Sequence, residues 1–169
     1  MNLNPQNLKE LFFLDNNVTY LNHGSFGACP KPVFEKLIFW QKELEQQPVR
    51  FLEDQIYKHL DWAREKLAIY VDCHKNDIVY FPNPSTALNT VIKSLELKKG
   101  DEVLTTNHEY GAIDRTWKFT SQQKGFKYIN LDINVPIDST EDFIKKFESS
   151  INSRTRVIFV SHITSPTGI

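Results

Sequence analysis

Hydroxyls at the start of a helix are the first chemistry visible in this chain. In "FPNPSTALNTV", residues 81–91, Asn83 and Pro84 break the chain, and Ser85 or Thr86 begins a helix as its cap. Exposed N–H groups, the helix dipole and two hydroxyls suit a phosphate; the plainer reading is that Ser and Thr are common N-caps. In "TTNHEYGA", residues 105–112, His108, Glu109 and Tyr110 precede the next helix. A flat side chain there could stack on a planar ring, or simply cap the helix at the surface. "SHITSPTGI", residues 161–169, offers Thr164, Ser165 and Thr167 with a histidine at the end of a strand, or an ordinary polar turn. "YLNHGSFGACPKPV", residues 20–33, sets Asn22 and His23 beside Gly24, with a second glycine at 27. That spacing suits backbone that comes close to something, or a loop needing positive φ. His23 could be a base, a binding donor or a helix cap.

Other chemistries lack their signatures. There is no GxGxxG or P-loop pattern for nucleotides, no HxxxH or CxxC spacing for zinc, and no GxSxG nucleophile elbow. No metal site is expected.

The elements that must position these loops alternate. Val33, Leu37, Gln41 and Leu44 mark a helix after Pro32, and Leu52 to Tyr70 repeats every three or four residues as a second helix over about 52–71. "TYL" reads as a short strand. From residue 77 onward "DIVYF", "DEVLTT", "FKYINLDI" and "RVIFVS" read as strands. Between them "STALNTVIKSLEL", "GAIDRTWKFTSQQ" and "STEDFIKKFESSI" read as helices. Alternation at these lengths predicts α/β architecture: a mainly parallel sheet covered by helices on both faces. Ligands of such sheets bind at the carboxyl ends of the strands, where these four loops fall.

Composition narrows the class. The 169 residues suffice for one ordinary core, and 40% hydrophobic with 24% charged is average soluble usage. The net charge of -1 gives no field for nucleic acid or an anionic membrane. Apolar runs are too short to span a bilayer, and "MNLNPQNLKE" carries no signal-peptide pattern. Cys29 and Cys73 form neither a disulfide framework nor a metal pattern. The expectation is a cytoplasmic, soluble protein.

The four stretches "YLNHGSFGACP", "NPSTALNTV", "DEVLTTNHEYGA" and "RVIFVSHITSPTG" stand in the order and spacing of the class V aminotransferase family. These are pyridoxal-5'-phosphate (PLP) enzymes of fold type I. "LNHGSFG", "PVRFL" and the H-x-T-S-P-T segment resemble in particular its isopenicillin N epimerase-like group. The resemblance implies the fold type I large domain, with residues 1–50 as an N-terminal segment carrying a substrate-side loop and 51–169 as the first half of the PLP-binding domain. It implies PLP as cofactor, an amino acid as substrate, and a homodimer or a second polypeptide that completes the fold. Residue by residue, Ser85 and Thr86 match the phosphate-binding positions, Tyr110 the side chain stacked on the pyridine ring, and the Thr164–Ser165 pair the contact to the ring hydroxyl. Asn22, His23 and Gly24 match the loop near the substrate. Arg50 matches a carboxylate-facing or structural arginine, or is a surface charge. The reaction stays open among transamination, desulfuration, lysis and epimerisation.

The resemblance also implies that the aspartate facing the pyridinium nitrogen and the Schiff-base lysine lie beyond residue 169. None of the lysines present, such as Lys98, Lys99, Lys145 and Lys146, sits in a context like that of the catalytic one. The chain by itself is therefore expected to be inactive: a remnant, one half of a split enzyme, or a truncated sequence. The alternative is a non-catalytic interaction chain that retains part of the fold.

Overall fold

Glu102–Thr106 is the middle strand of the sheet, and all five of its residues are buried. It belongs to a computed structural model that describes residues 8–169; the start of the amino-terminal stretch read for a signal peptide lies outside them. The chain divides into two compact units, one ending at Val79 and the other Tyr80–Ile169.

In the first unit, α1 (His23–Phe26) is a single turn, and α2 (Lys31–Gln46) starts from Pro30 with Pro32 in its first turn. A proline costs nothing there, because its missing N–H would have no partner inside the helix. The second helix differs from expectation. Arg50–Gln55 winds as a π-helix, and only Ile56–Val71 is α-helical (α3). Apolar spacing of three and four residues marks a buried stripe but does not separate 3.6 residues per turn from a wider local winding. Asp72 ends α3 in the left-handed region at φ 55°, its N–H donating to the Ala68 carbonyl. Lys75 Nζ donates to Asp61 Oδ2 at 2.7 Å, tying the next turn to α3.

The second unit carries α4 (Pro84–Ser94), β1 (Glu102–Thr106), α5 (Gly111–Lys124), β2 (Lys127–Leu131), α6 (Thr140–Ser149) and β3 (Thr155–Ile158). The three strands are parallel in the order β2-β1-β3. Val103 is level with Tyr128 on one side and Val157 on the other. Alternate strand residues share a face, so Val103, Tyr128, Val157 and Phe159 form one apolar surface. Ile92 of α4 with Ile113 and Trp117 of α5 cover it, and Phe126 completes the core. On the other face Leu104 is buried, while Ile158, level with it, is half exposed. Gly125 ends α5 at φ +78°, a left-handed conformation that favours glycine.

Two expected strands are not found. "TYL" has no ladder partner among the described residues; instead the Tyr20 hydroxyl donates to the Phe26 carbonyl around α1. In "DIVYF", Lys75–Asp77 is a 3-10 turn and Ile78 is extended (φ -107°, ψ 128°), but 78–81 pairs with nothing among the described residues. An apolar, β-branched run favours extended backbone, yet a strand also needs a ladder partner, which local composition does not supply. β3 is shorter than "RVIFVS". Phe159 still donates to the Leu104 carbonyl at 2.9 Å, and the chain then turns away.

Candidate functional site

Parallel strands bring their carboxyl ends to one edge, and two helices start there. α5 begins five residues after β1 ends. α4 runs beside it in the same direction: Lys124 Nζ at the end of α5 donates to the Leu95 and Lys93 carbonyls at the end of α4 (2.6 and 3.1 Å). Midway, Thr116 Oγ1 donates to Asn89 Oδ1 at 3.2 Å. The amino termini of α4 and α5 therefore open on the edge where β1 and β3 end.

At the start of α4 the cap is Asn83, not Ser85 or Thr86. Its Oδ1 accepts from the Thr86 amide at 2.8 Å and from Thr86 Oγ1 at 3.0 Å, with Pro84 in the first turn. The string N-P-S-T contains three good capping residues. Proline decides among them, since it belongs inside the first turn and leaves the cap to the residue before it. Ser85 is half-buried and Thr86 exposed, both within the first turn. Tyr110 is the residue preceding α5 and is 51% exposed, its side chain making no cap.

His108 and Glu109 behave differently. Both are buried. His108 Nε2 lies 2.7 Å from the Ile133 carbonyl, and Nδ1 lies 3.2 Å from Thr167 Oγ1. With both ring nitrogens engaged inside the unit, His108 is a support rather than a second stacking group. Glu109 Oε2 accepts from Ser161 Oγ at 2.6 Å, and Oε1 accepts from the Ser161 amide and from Thr106 Oγ1, both at 3.2 Å. The sequence reading put Glu109 at this edge without a role of its own. A carboxylate before a helix reads as an exposed acid, and only the return of β3 beside β1 buries it.

Thr164 is buried and Ser165 exposed. Thr164 Oγ1 bonds Thr167 Oγ1 at 2.7 Å and the Ile169 carbonyl at 3.1 Å, and accepts from the Ile169 amide at 3.1 Å. One donor and two acceptor sites are all a hydroxyl has, so Thr164 is used in closing its own loop. Gly168 turns that loop at φ +68°.

In the first unit, Asn22 caps α1, its side chain accepting from the Ser25 amide at 3.3 Å. His23 Nδ1 accepts from the Ala28 amide at 3.4 Å, and its ring packs edge-on against Tyr20 at 4.9 Å. Neither Gly24 nor Gly27 has a positive φ, which removes that explanation for them. A Cβ on Gly24 would meet nothing within 4 Å, whereas one on Gly27 would lie 3.0 Å from the His23 carbonyl oxygen. Arg50 is exposed in the π-helical turn.

A cavity of about 490 Å³ opens on the Leu104 face, walled by Ile133, Ile137, Phe143, Val160 and Ile169, with Thr106, His108 and Ser161 at its polar end. His162 and Thr164 also line it, whereas Ser85, Thr86, Tyr110 and Ser165 do not.

The family model described as aminotransferase class-V matches residues 28–169. The chain belongs to the class V aminotransferase family. Over 166 residues it is 31% identical to an isopenicillin N epimerase of Amycolatopsis lactamdurans, covering 96% of this chain and 42% of that protein. A probable chloroplastic L-cysteine desulfhydrase of Arabidopsis thaliana is 23% identical over 89% of the chain and 35% of its own length. Among solved structures, a C-DES K223A mutant with glycine covalently linked to its PLP cofactor superposes with a TM-score of 0.78. It is 22% identical, over 89% of this chain and 39% of that one. The α/β fold expected from the sequence is thus that of the PLP-dependent fold type I enzymes. This class V chain spans about two-fifths of the length of these relatives.

Proposed function

We propose that this chain supplies the phosphate-holding and ring-stacking part of a PLP-dependent enzyme acting on an amino acid, at its amino group or α-carbon. The observation that carries the reading is the shared edge. The first turn of α4 with Ser85 and Thr86, exposed Tyr110 before α5, and exposed Ser165 on the loop after β3 all belong to the carboxyl end of one parallel sheet.

The donor set fits the group. The start of α4 offers a favourable dipole with the N–H and hydroxyl of Ser85 to a dianionic phosphate, while the Thr86 N–H and hydroxyl donate to Asn83 Oδ1 and reach a phosphate only by leaving it. Tyr110 offers a flat, half-exposed face to a pyridine ring. Ser165 offers a hydroxyl to the ring's own hydroxyl, while buried Thr164 holds the loop that carries it. When bound, the cofactor supplies an electron sink for the bonds of the substrate α-carbon. The chain's own residues bind and orient it. Asn22, His23, Gly24 and Arg50 of the first unit are the substrate-side candidates, with Arg50 suited to a substrate carboxylate. Epimerase, desulfhydrase and PLP-linked relatives support the cofactor and an amino-acid substrate without selecting one reaction.

A second reading is a chain that keeps the surface of the fold without its chemistry. Fluorescence titration with PLP separates the two. Saturable binding that inorganic phosphate competes away supports the first; no phosphate-dependent binding supports the second.

A further inference from the structure

We infer that Glu109 and His108 are positioning residues that clasp the loop after β3 to the end of β1 and so set where Ser165 stands. The inference rests on the cofactor reading for its consequence, but the clasp itself stands on the geometry of this unit.

The two side chains grip the loop at both ends. Glu109 is 7% exposed and holds its first residue, accepting from the amide and the hydroxyl of Ser161 (3.2 and 2.6 Å). His108 is 9% exposed and holds its far end through Thr167 at 3.2 Å; Thr167 in turn meets Thr164 at 2.7 Å. Both are anchored from behind, Glu109 by Thr106 Oγ1 of β1 at 3.2 Å and His108 by the Ile133 carbonyl after β2 at 2.7 Å. A buried carboxylate is costly unless its oxygens are hydrogen-bonded, and here the partners that satisfy Glu109 are donors of the loop and of β1. Losing the loop contact would leave the charge underbonded, so the charge itself favours one loop position. Hydrogen bonds to a charged group contribute more than neutral ones. Tyr110 follows directly in the chain, so the clasp ties the stacking side chain and the ring-hydroxyl loop to one support. The start of α4, which would hold phosphate, makes no contact in this chain of bonds.

Glu109→Ala, Glu109→Gln and Ser161→Ala in the full chain test this by amide hydrogen exchange together with PLP titration. Glu109→Ala should speed exchange at Ser161 and Gly168 at least tenfold while β1, β2 and α5 stay protected. Glu109→Gln, which still accepts from the Ser161 amide, should restore most of that protection. Ser161→Ala, a milder change that serves if Glu109→Ala fails to fold, should show the same local loss to a smaller degree. PLP affinity should fall about tenfold in Glu109→Ala, with affinity for inorganic phosphate unchanged. Exchange at the loop that does not change in Ser161→Ala or Glu109→Ala overturns the clasp. So does an equal loss of phosphate and PLP affinity, which would mark a general weakening of the fold. A wild-type chain that binds no PLP overturns the cofactor reading, and the exchange result then still decides the clasp.

Discussion

Ser85, Thr86 and Tyr110 are separable by substitution because the structure gives the capping role to Asn83. Asn83→Ala should cost about 1 kcal/mol of stability, as loss of an N-cap does. Ser85→Ala with Thr86→Ala leaves that cap in place, so it should cost little stability. A charge-assisted bond to phosphate contributes roughly 1.5–3 kcal/mol, and that is the scale of the PLP affinity the double variant should lose, chiefly at Ser85, because the Thr86 hydroxyl already donates to Asn83 Oδ1. Thermal melts beside PLP titrations check both halves. A double variant that melts early and binds normally would return Ser85 and Thr86 to a purely structural role. Tyr110→Phe should keep PLP affinity, and Tyr110→Ala should lose about 1 kcal/mol of it, since a stacked ring contributes through its face. If Phe is as damaging as Ala, the hydroxyl is the working group.

Among the elements, β1 carries the sheet, and its amino-terminal end is pinned by a buried acid. Glu102, 2% exposed, accepts from Asn152 Nδ2 and Arg154 Nε, both at 2.8 Å. The Asn152 hydrogen bond, followed by Arg154, outweighs burial and holds its carboxyl below the ordinary value of 4.5. A carboxyl depressed on folding contributes stability that is full above the unfolded value and is lost as pH falls through the folded one. Denaturation midpoints should therefore drop below about pH 4.5, and Glu102→Gln should flatten that part of the profile; an unchanged profile would remove Glu102 from the account. At the end of α5, Gly125→Ala should destabilise by about 1–2 kcal/mol in urea unfolding, because φ is +78°. A Cβ there would lie 3.6 Å from Lys99 Cβ, an ordinary contact, so the cost is backbone strain alone. An Ala variant of wild-type stability would mean that the turn relaxes.

For the whole molecule, chemistry and surface point the same way. The proposed cofactor groups hold phosphate and ring without a covalent link. Incubation with PLP, borohydride reduction and mapping should find no stoichiometrically labelled lysine and no turnover of an amino acid. One fully labelled lysine with turnover would refute this, and labelling only on addition of a second polypeptide would support a split enzyme. Among the described residues of the first unit Ala68 is the buried hydrophobic one, while Phe26, Trp62, Ile69 and Tyr70 are largely exposed. Apolar area on that scale drives association, so sedimentation should show self-association that a monodisperse monomer would contradict.

Alternation of apolar strands with amphipathic helices determined the α/β class by itself, because burying one face leaves a local period in the residues. Order and spacing of the N-P-S-T, N-H-E-Y and S-P-T-G stretches likewise determined the family. The sequence also located the start of α4, but local preference alone could not choose its cap among Asn83, Ser85 and Thr86; Pro84 in the first turn did. "DIVYF" has the composition of a strand and no ladder, since pairing is a property of neighbours. Only tertiary structure separated His108 and Glu109 from Tyr110, three consecutive residues with one local environment in sequence. The return of β3 beside β1 buried the first two against Thr167 and Ser161 and left the third exposed. Burial of a charge depends on which donors, some fifty residues away in sequence, arrive to satisfy it, and no local pattern records that.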